Sequence, residues 1–139
     1  VGGGGLVSGV GLALKSTNPD IQVIGVQSVA TPAMHNYLRG TSLPQAPTLA
    51  EGLAGDVEAG SITLDLAREV MDDIVLVEEA AIAEAIRWIL REHGQVVEGS
   101  GAVGIAALLT GQVETDDHST VVIVSGGNMD YETLRRLVG

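Results

Sequence analysis

Cysteine and phenylalanine are absent from these 139 residues, and lysine occurs once, at Lys15. Without cysteine there are no disulfides and no thiolate metal sites, which suits a reducing compartment. The aromatic residues are Tyr37, Trp88 and Tyr131, too few for a base-stacking platform. Seven basic residues stand against 18 acidic ones, a net charge of -11. That balance repels a polyanion such as nucleic acid, and no basic patch offers to hold one. The acids are scattered, as on an ordinary solvated exterior. No apolar run reaches membrane-spanning length and no signal-peptide pattern is visible, so a cytoplasmic protein without a membrane partner is the expectation.

What is present describes a folded domain. Apolar residues make up 45% and charged residues 18%, enough for one core over residues 1–139 and too little chain for two. The chain opens on Val1 rather than Met and runs straight into glycines, so a fragment or processed piece is expected.

Helical and strand-like segments alternate, the pattern of an α/β sheet. Residues 6–17 have helical composition and stop at Asn18-Pro19. Residues 21–27 are a β-branched run read as a strand. Thr31 starts a second helix, with Pro32 in its first turn and Gly40 just past its end. Residues 41–62, rich in Gly, Pro, Ser and Ala, read as a loop long enough to be functional. A helix is expected over 63–71, a buried strand over 73–77 and the clearest helix over 78–93. Residues 95–98 read as a short extended piece, 99–109 as a small-residue helix closed by Gly111, and 120–125 as a strand. Gly126-Gly127-Asn128 makes a turn before a last helix over 131–137. The strands are apolar without alternation, which predicts a mostly parallel sheet covered on both faces, a three-layer αβα arrangement.

Gly2-Gly3-Gly4-Gly5 lies at a helix start. Glycine allows positive φ and lets backbone N–H groups approach a ligand closely. The following helix aims its unpaired N–H groups and its positive end at the same point, which makes an anion site suited to phosphate. No lysine and Ser/Thr follow as a P-loop requires, and the run does not fit the spaced dinucleotide fingerprint. A flexible linker is the plain alternative.

Val1-Gly2-Gly3-Gly4-Gly5-Leu6, with Ser8-Gly9 and Ala13-Leu14-Lys15, resembles the phosphate loop of the serine/threonine dehydratases, which are fold-type II pyridoxal-phosphate (PLP) enzymes. Three further segments agree in order and spacing. Thr48-Leu49-Ala50-Glu51-Gly52 resembles the family's T-x-A-D-G, Val97-Glu98-Gly99-Ser100-Gly101-Ala102 its E-x-(S/T/A)-G-A, and Ser125-Gly126-Gly127-Asn128-Met129-Asp130 its S-G-G-N-x-D. The match spans essentially the whole chain and implies part of the large domain of such an enzyme.

The resemblance implies PLP as cofactor, with its phosphate on Gly2, Gly3, Gly4, Gly5 and Leu6. It implies Ser125 near the pyridine nitrogen with Gly126 beside it, and Glu98 as the acid near the ring. A hydroxyl at that nitrogen leaves the ring largely neutral, a weaker electron sink than a carboxylate would make. That suits β-elimination better than transamination. Ser125 otherwise begins a Gly-Gly turn, and Glu98 otherwise caps its own helix; both readings stay open. Glu51 and Gly52 fall at the substrate pocket, with Glu51 where the family usually has aspartate. Some racemase-like relatives hold a divalent metal on two carboxylates, but those positions are Gln27 and Ala33, so no such site is expected. His35, His93 and His118 share no metal spacing.

The family's Schiff-base lysine lies upstream of the glycine loop. Lys15 stands nine residues past Leu6, about 14 Å along a helix at about 1.5 Å per residue. It is expected to favour the helix dipole rather than to reach the cofactor. The family resemblance therefore implies L-threonine or L-serine deamination by a longer protein, in threonine catabolism or isoleucine biosynthesis. This chain alone is expected to be inactive, completed by a missing N-terminal half and by homo-oligomer formation. A serine racemase-like enzyme and a non-catalytic PLP- or phosphate-binding fragment remain as alternatives.

Overall fold

The computed structural model describes residues 1–115 and 118–139. Its centre is a parallel pair, β1 (Ile24–Ser28) against β2 (Asp73–Val77), with Ile24 opposite Asp73 and Ser28 opposite Val77. Successive side chains of a strand leave opposite faces, and here they feed two cores. Val26, Val75 and Val77 pack with α4 (Glu79–His93), α5 (Gly99–Leu109) and Leu137 of α6 (Tyr131–Val138). Ile74 turns the other way, onto Val7 of α1 (Gly5–Thr17), Met34 of α2 (Ala33–Arg39) and Leu64 and Ala67 of α3 (Ile62–Val70). The sheet is therefore covered on both sides, the αβα layering read from its apolar strands.

Local chemistry sets the boundaries. The first strand begins at Ile24 rather than 21, because the Val23 N–H donates to the Asp72 carboxylate at 2.7 Å instead of to a strand. Pro32 caps α2 and does not lie inside it. The Ser61 hydroxyl accepts the Thr63 N–H at the start of α3, and Asp130 accepts the Thr133 N–H at 2.9 Å at the start of α6. Gly40 and Gly94 end α2 and α4 in the left-handed region. The loop from residue 41 ends at Ser61, one residue earlier than expected, and within it the chain makes one 3-10 turn, Glu51–Leu53.

Residues 120–125 depart from expectation. They form no strand: Val121 is 88% exposed, Ile123 51% and Val124 47%. A β-branched run needs a neighbouring ladder to become a strand, and among the described residues the sheet contains only β1 and β2. Val122 packs instead on Gly104 of α5, where an added Cβ would come within 2.6 Å of it.

Lys15 does more than complement a dipole. Its ammonium reaches the Asp72 carboxylate at 2.7 Å and the Pro19 carbonyl at 3.5 Å, tying the end of α1 to the joint between α3 and β2.

Candidate functional site

The glycine run is anchored on one side and open on the other. The Val1 amino group donates to the Val26 carbonyl at 2.5 Å, and Gln27 donates through Nε2 to the Val1 carbonyl at 2.7 Å, so the run leaves from beside β1. The Thr63 hydroxyl donates to the Gly3 carbonyl at 2.7 Å, while Ser8 Oγ donates to the Thr63 carbonyl at 3.1 Å. Gly4 has φ +88, and a Cβ there would lie 2.8 Å from Met34 Cε and 3.3 Å from the Thr63 carbonyl. Glycine is required at this position by both backbone and space.

The open side presents donors. The first bond inside α1 runs from Ser8 N to the Gly4 carbonyl at 2.9 Å. The N–H groups of Gly5, Leu6 and Val7 therefore have no partner within the helix, and no side chain caps them. Gly3, Gly5 and Leu6 are exposed, with nothing within 4 Å of a Cβ built at Gly3 or Gly5. No acidic residue stands in the first turn to compete for a ligand. The positive end of the helix dipole is thus free to meet an anion, and a phosphate fits this cradle.

From Gly2 the four sequence segments meet in series. A Cβ on Gly2 would lie 3.3 Å from the Gly52 carbonyl. One on Gly52 would lie 2.8 Å from Ser100 Oγ and 3.7 Å from Glu98 Oε1. One on Gly126, where φ is +83, would lie 2.5 Å from the same carboxylate oxygen. Gly99 and Gly101 continue the close packing: a Cβ on either would strike a backbone carbonyl, of Leu49 and of Ser125 respectively.

Each expected site residue has a definite place in this arrangement. Glu98 sits at the N-cap of α5, yet its carboxylate does not cap that helix. It accepts the Asn128 N–H at 3.1 Å instead, while its own N–H donates to the Gly126 carbonyl at 3.3 Å. Simple self-capping is therefore not its role; it holds the Ser-Gly-Gly-Asn turn. Ser125 is exposed, and its carbonyl is fixed against Gly101. Glu51 and Gly52 are exposed on the 3-10 turn, and only Gly52 is drawn in against Ser100. Lys15 lies outside this row, engaged with Asp72.

Residues 1–127 match the family described as pyridoxal-phosphate dependent enzymes. The chain belongs to that family. An L-threonine ammonia-lyase of Thermotoga maritima is 40% identical over 99% of this chain and 35% of its own length. The processed form of threonine deaminase isoform 2 from Solanum lycopersicum superposes with a TM-score of 0.85 at 32% identity, over 99% of this chain and 41% of that one. Maize serine racemase superposes with a TM-score of 0.83 at 32% identity, over 98% and 44%. The chain thus spans well under half the length of these relatives. The family's cofactor carries a phosphate, and the uncapped start of α1 presents free backbone N–H groups of the kind an anion accepts from.

Sequence reasoning passed over three residues that the fold puts to use. Ser100 faces Gly52. Gly99 admits the Leu49 carbonyl. Glu79, in the first turn of α4, gathers donors from Ser28, Thr48 and Leu49. The one available signal for Glu79 was an acid opening a helix directly after a strand. Its partners are 30 to 51 residues away in sequence, so no local pattern names them. Among the described residues no group of three or more His, Asp or Glu side chains is placed to hold a metal, and no helix is long and apolar enough to cross a membrane.

Proposed function

We propose that this chain is the phosphate-binding part of an L-threonine (or L-serine) ammonia-lyase. The observation that carries the reading is the contact series Gly2, Gly52, Glu98, Gly126, which joins all four dehydratase-like segments into one backbone-lined wall. The overall change is removal of the α-proton and β-hydroxyl, then hydrolytic loss of nitrogen, so that L-threonine gives 2-oxobutanoate and ammonia. Bound PLP supplies an electron-withdrawing ring that makes the α-proton acidic.

The chain's own residues would bind and orient. The N–H groups of Gly3, Gly5 and Leu6 would take the phosphate, and their helix would neutralise part of its charge. Ser125 would offer the pyridine nitrogen a hydroxyl rather than a carboxylate, leaving the ring uncharged. Glu98 would keep that turn in place through Asn128 and Gly126. Gly52 would border the amino-acid substrate, with Glu51 beside it. The lysine that holds the cofactor and moves the α-proton would come from residues outside these 139, since Lys15 is committed to Asp72. Homo-oligomer assembly and cytoplasmic placement belong to the same reading.

The test is a product assay on the protein expressed from the intact reading frame. Release of 2-oxobutanoate from L-threonine, or pyruvate from L-serine, supports the reading; neither product overturns it. The 139-residue chain by itself is expected to release none. The likeness to maize serine racemase favours one other reading. Chiral analysis of the same reactions would detect D-serine if racemisation is the principal activity.

A further inference from the structure

Glu79 opens α4 immediately after β2, and its carboxylate is surrounded by donors from two other segments. Oε1 accepts hydrogen bonds from Ser28 Oγ, at the end of β1, and from Thr48 Oγ1 at 2.7 Å. Oε2 accepts the Leu49 N–H at 2.7 Å. Both hydroxyls already accept: the Ala30 N–H donates to Ser28 Oγ at 2.9 Å, and the Ala50 N–H to Thr48 Oγ1 at 2.9 Å. Their own hydrogens are therefore the ones aimed at Glu79. The knot has donors on every side and calls for a group that only accepts, which an ionised carboxylate is and an amide is not. Its bonds are charge-assisted, the stronger class.

The knot is close to the site but not in it. Ser28 and Ala50 are fully buried, whereas Gly52, two residues on, is exposed beside Ser100. Between them the chain turns over Glu51–Leu53, with the Leu53 N–H donating to the Ala50 carbonyl at 2.8 Å. The Leu49 carbonyl is pressed on Gly99 at the start of α5. A shift of Leu49 or Ala50 would thus move Gly52 relative to Ser100 and Glu98.

We propose that Glu79 is a positioning residue for the amino-acid substrate. It fixes the backbone of residues 48–52 and through it the substrate-bordering edge at Gly52, without touching substrate or cofactor. The proposal rests on the ammonia-lyase reading above, since that reading assigns Gly52 to the substrate.

The experiment compares wild type, Glu79→Gln, Thr48→Val and Thr48→Ser in the protein from the intact reading frame. It measures KM and kcat for L-threonine, affinity for PLP, and amide hydrogen exchange. Losing one charge-assisted bond is worth about a tenfold change. In Glu79→Gln we expect KM to rise roughly tenfold, with kcat and PLP affinity held within about threefold. Exchange at residues 49–53 should quicken while β1 and the middle of α4 keep their protection. Thr48→Ser should retain wild-type KM and Thr48→Val should reproduce part of the defect; should Glu79→Gln fail to fold, this pair alone decides. An unchanged KM with unchanged exchange overturns the proposal. So does a fall in kcat and PLP affinity together, which would mean a role at the cofactor. If the wild-type protein releases neither 2-oxobutanoate from L-threonine nor pyruvate from L-serine, the ammonia-lyase reading fails separately, and unaltered exchange at 49–53 still overturns the anchoring by Glu79.

Discussion

Glu98 and Gly126 occupy each other's space: the Glu98 carboxylate stands 2.5 Å from where a Cβ on residue 126 would be. Gly126 also has φ +83. Two independent conditions therefore demand glycine here, and both act on the turn that presents Ser125. Gly126→Ala should weaken PLP binding by about tenfold or more, given roughly 1–3 kcal/mol of backbone strain alone. Pairing it with Glu98→Ala removes the clash but not the φ penalty, so the double variant should lose less than the sum of the singles. Cofactor titration of the intact protein checks both.

The glycine cradle should divide by position. Gly4→Ala meets Met34, Thr63 and an unfavourable φ, and should lower stability by about 1–3 kcal/mol. Gly3→Ala and Gly5→Ala point into open space, and should change stability by no more than about 1 kcal/mol. They should nevertheless weaken cofactor binding, because the added methyl stands where a phosphate must approach the amides. Thermal denaturation without PLP and titration with it separate the two effects.

Gly101→Ala should act on Ser125 from behind. Its methyl would strike the Ser125 carbonyl, and the turn must move away from α5. Overpacking of this kind costs about 1–3 kcal/mol. The expected outcome is reduced stability together with reduced PLP affinity, whereas Gly9→Ala, in open space inside α1, should raise stability by up to about 1 kcal/mol and leave PLP affinity unchanged.

The Lys15–Asp72 pair predicts an acid-sensitive contribution. The Asp72 carboxyl is held below its ordinary value of 3.8, first by the bond from Lys15 and then by the Val23 N–H. A depressed carboxylate stabilises the fold fully above its unfolded-state pKa and loses that contribution as pH falls through the lower folded-state value. Asp72→Asn should therefore be less stable than wild type near neutrality, by no more than about 1 kcal/mol for so exposed a pair. The gap should close in acid. Lys15→Met should behave alike and leave PLP affinity unchanged, as measured by denaturant unfolding across pH.

The layering and most helices were legible because their causes are local. Apolar β-branched runs, the Asn18-Pro19 stop and Gly40 carry their structural meaning in a few neighbouring residues. The uncapped start of α1 was legible for the same reason, since the consecutive glycines lead directly into a helix and carry no capping side chain. Residues 120–125 misled because strand propensity in Val121-Val122-Ile123-Val124 says nothing about whether a partner strand is alongside. Glu98 was half legible: its position before a helix was visible, but its bond to Asn128 N crosses 30 residues. Glu79 was invisible for that reason entirely, because its meaning lies in Ser28 and Thr48.

If residues 2–6 hold the PLP phosphate, the phosphorus-31 resonance of PLP bound to the intact protein reports on them. That signal should be displaced from that of free PLP, and displaced again by Gly3→Ala and by Gly5→Ala while Lys15→Met leaves it in place. A bound-phosphate signal indifferent to both glycine substitutions would contradict binding there.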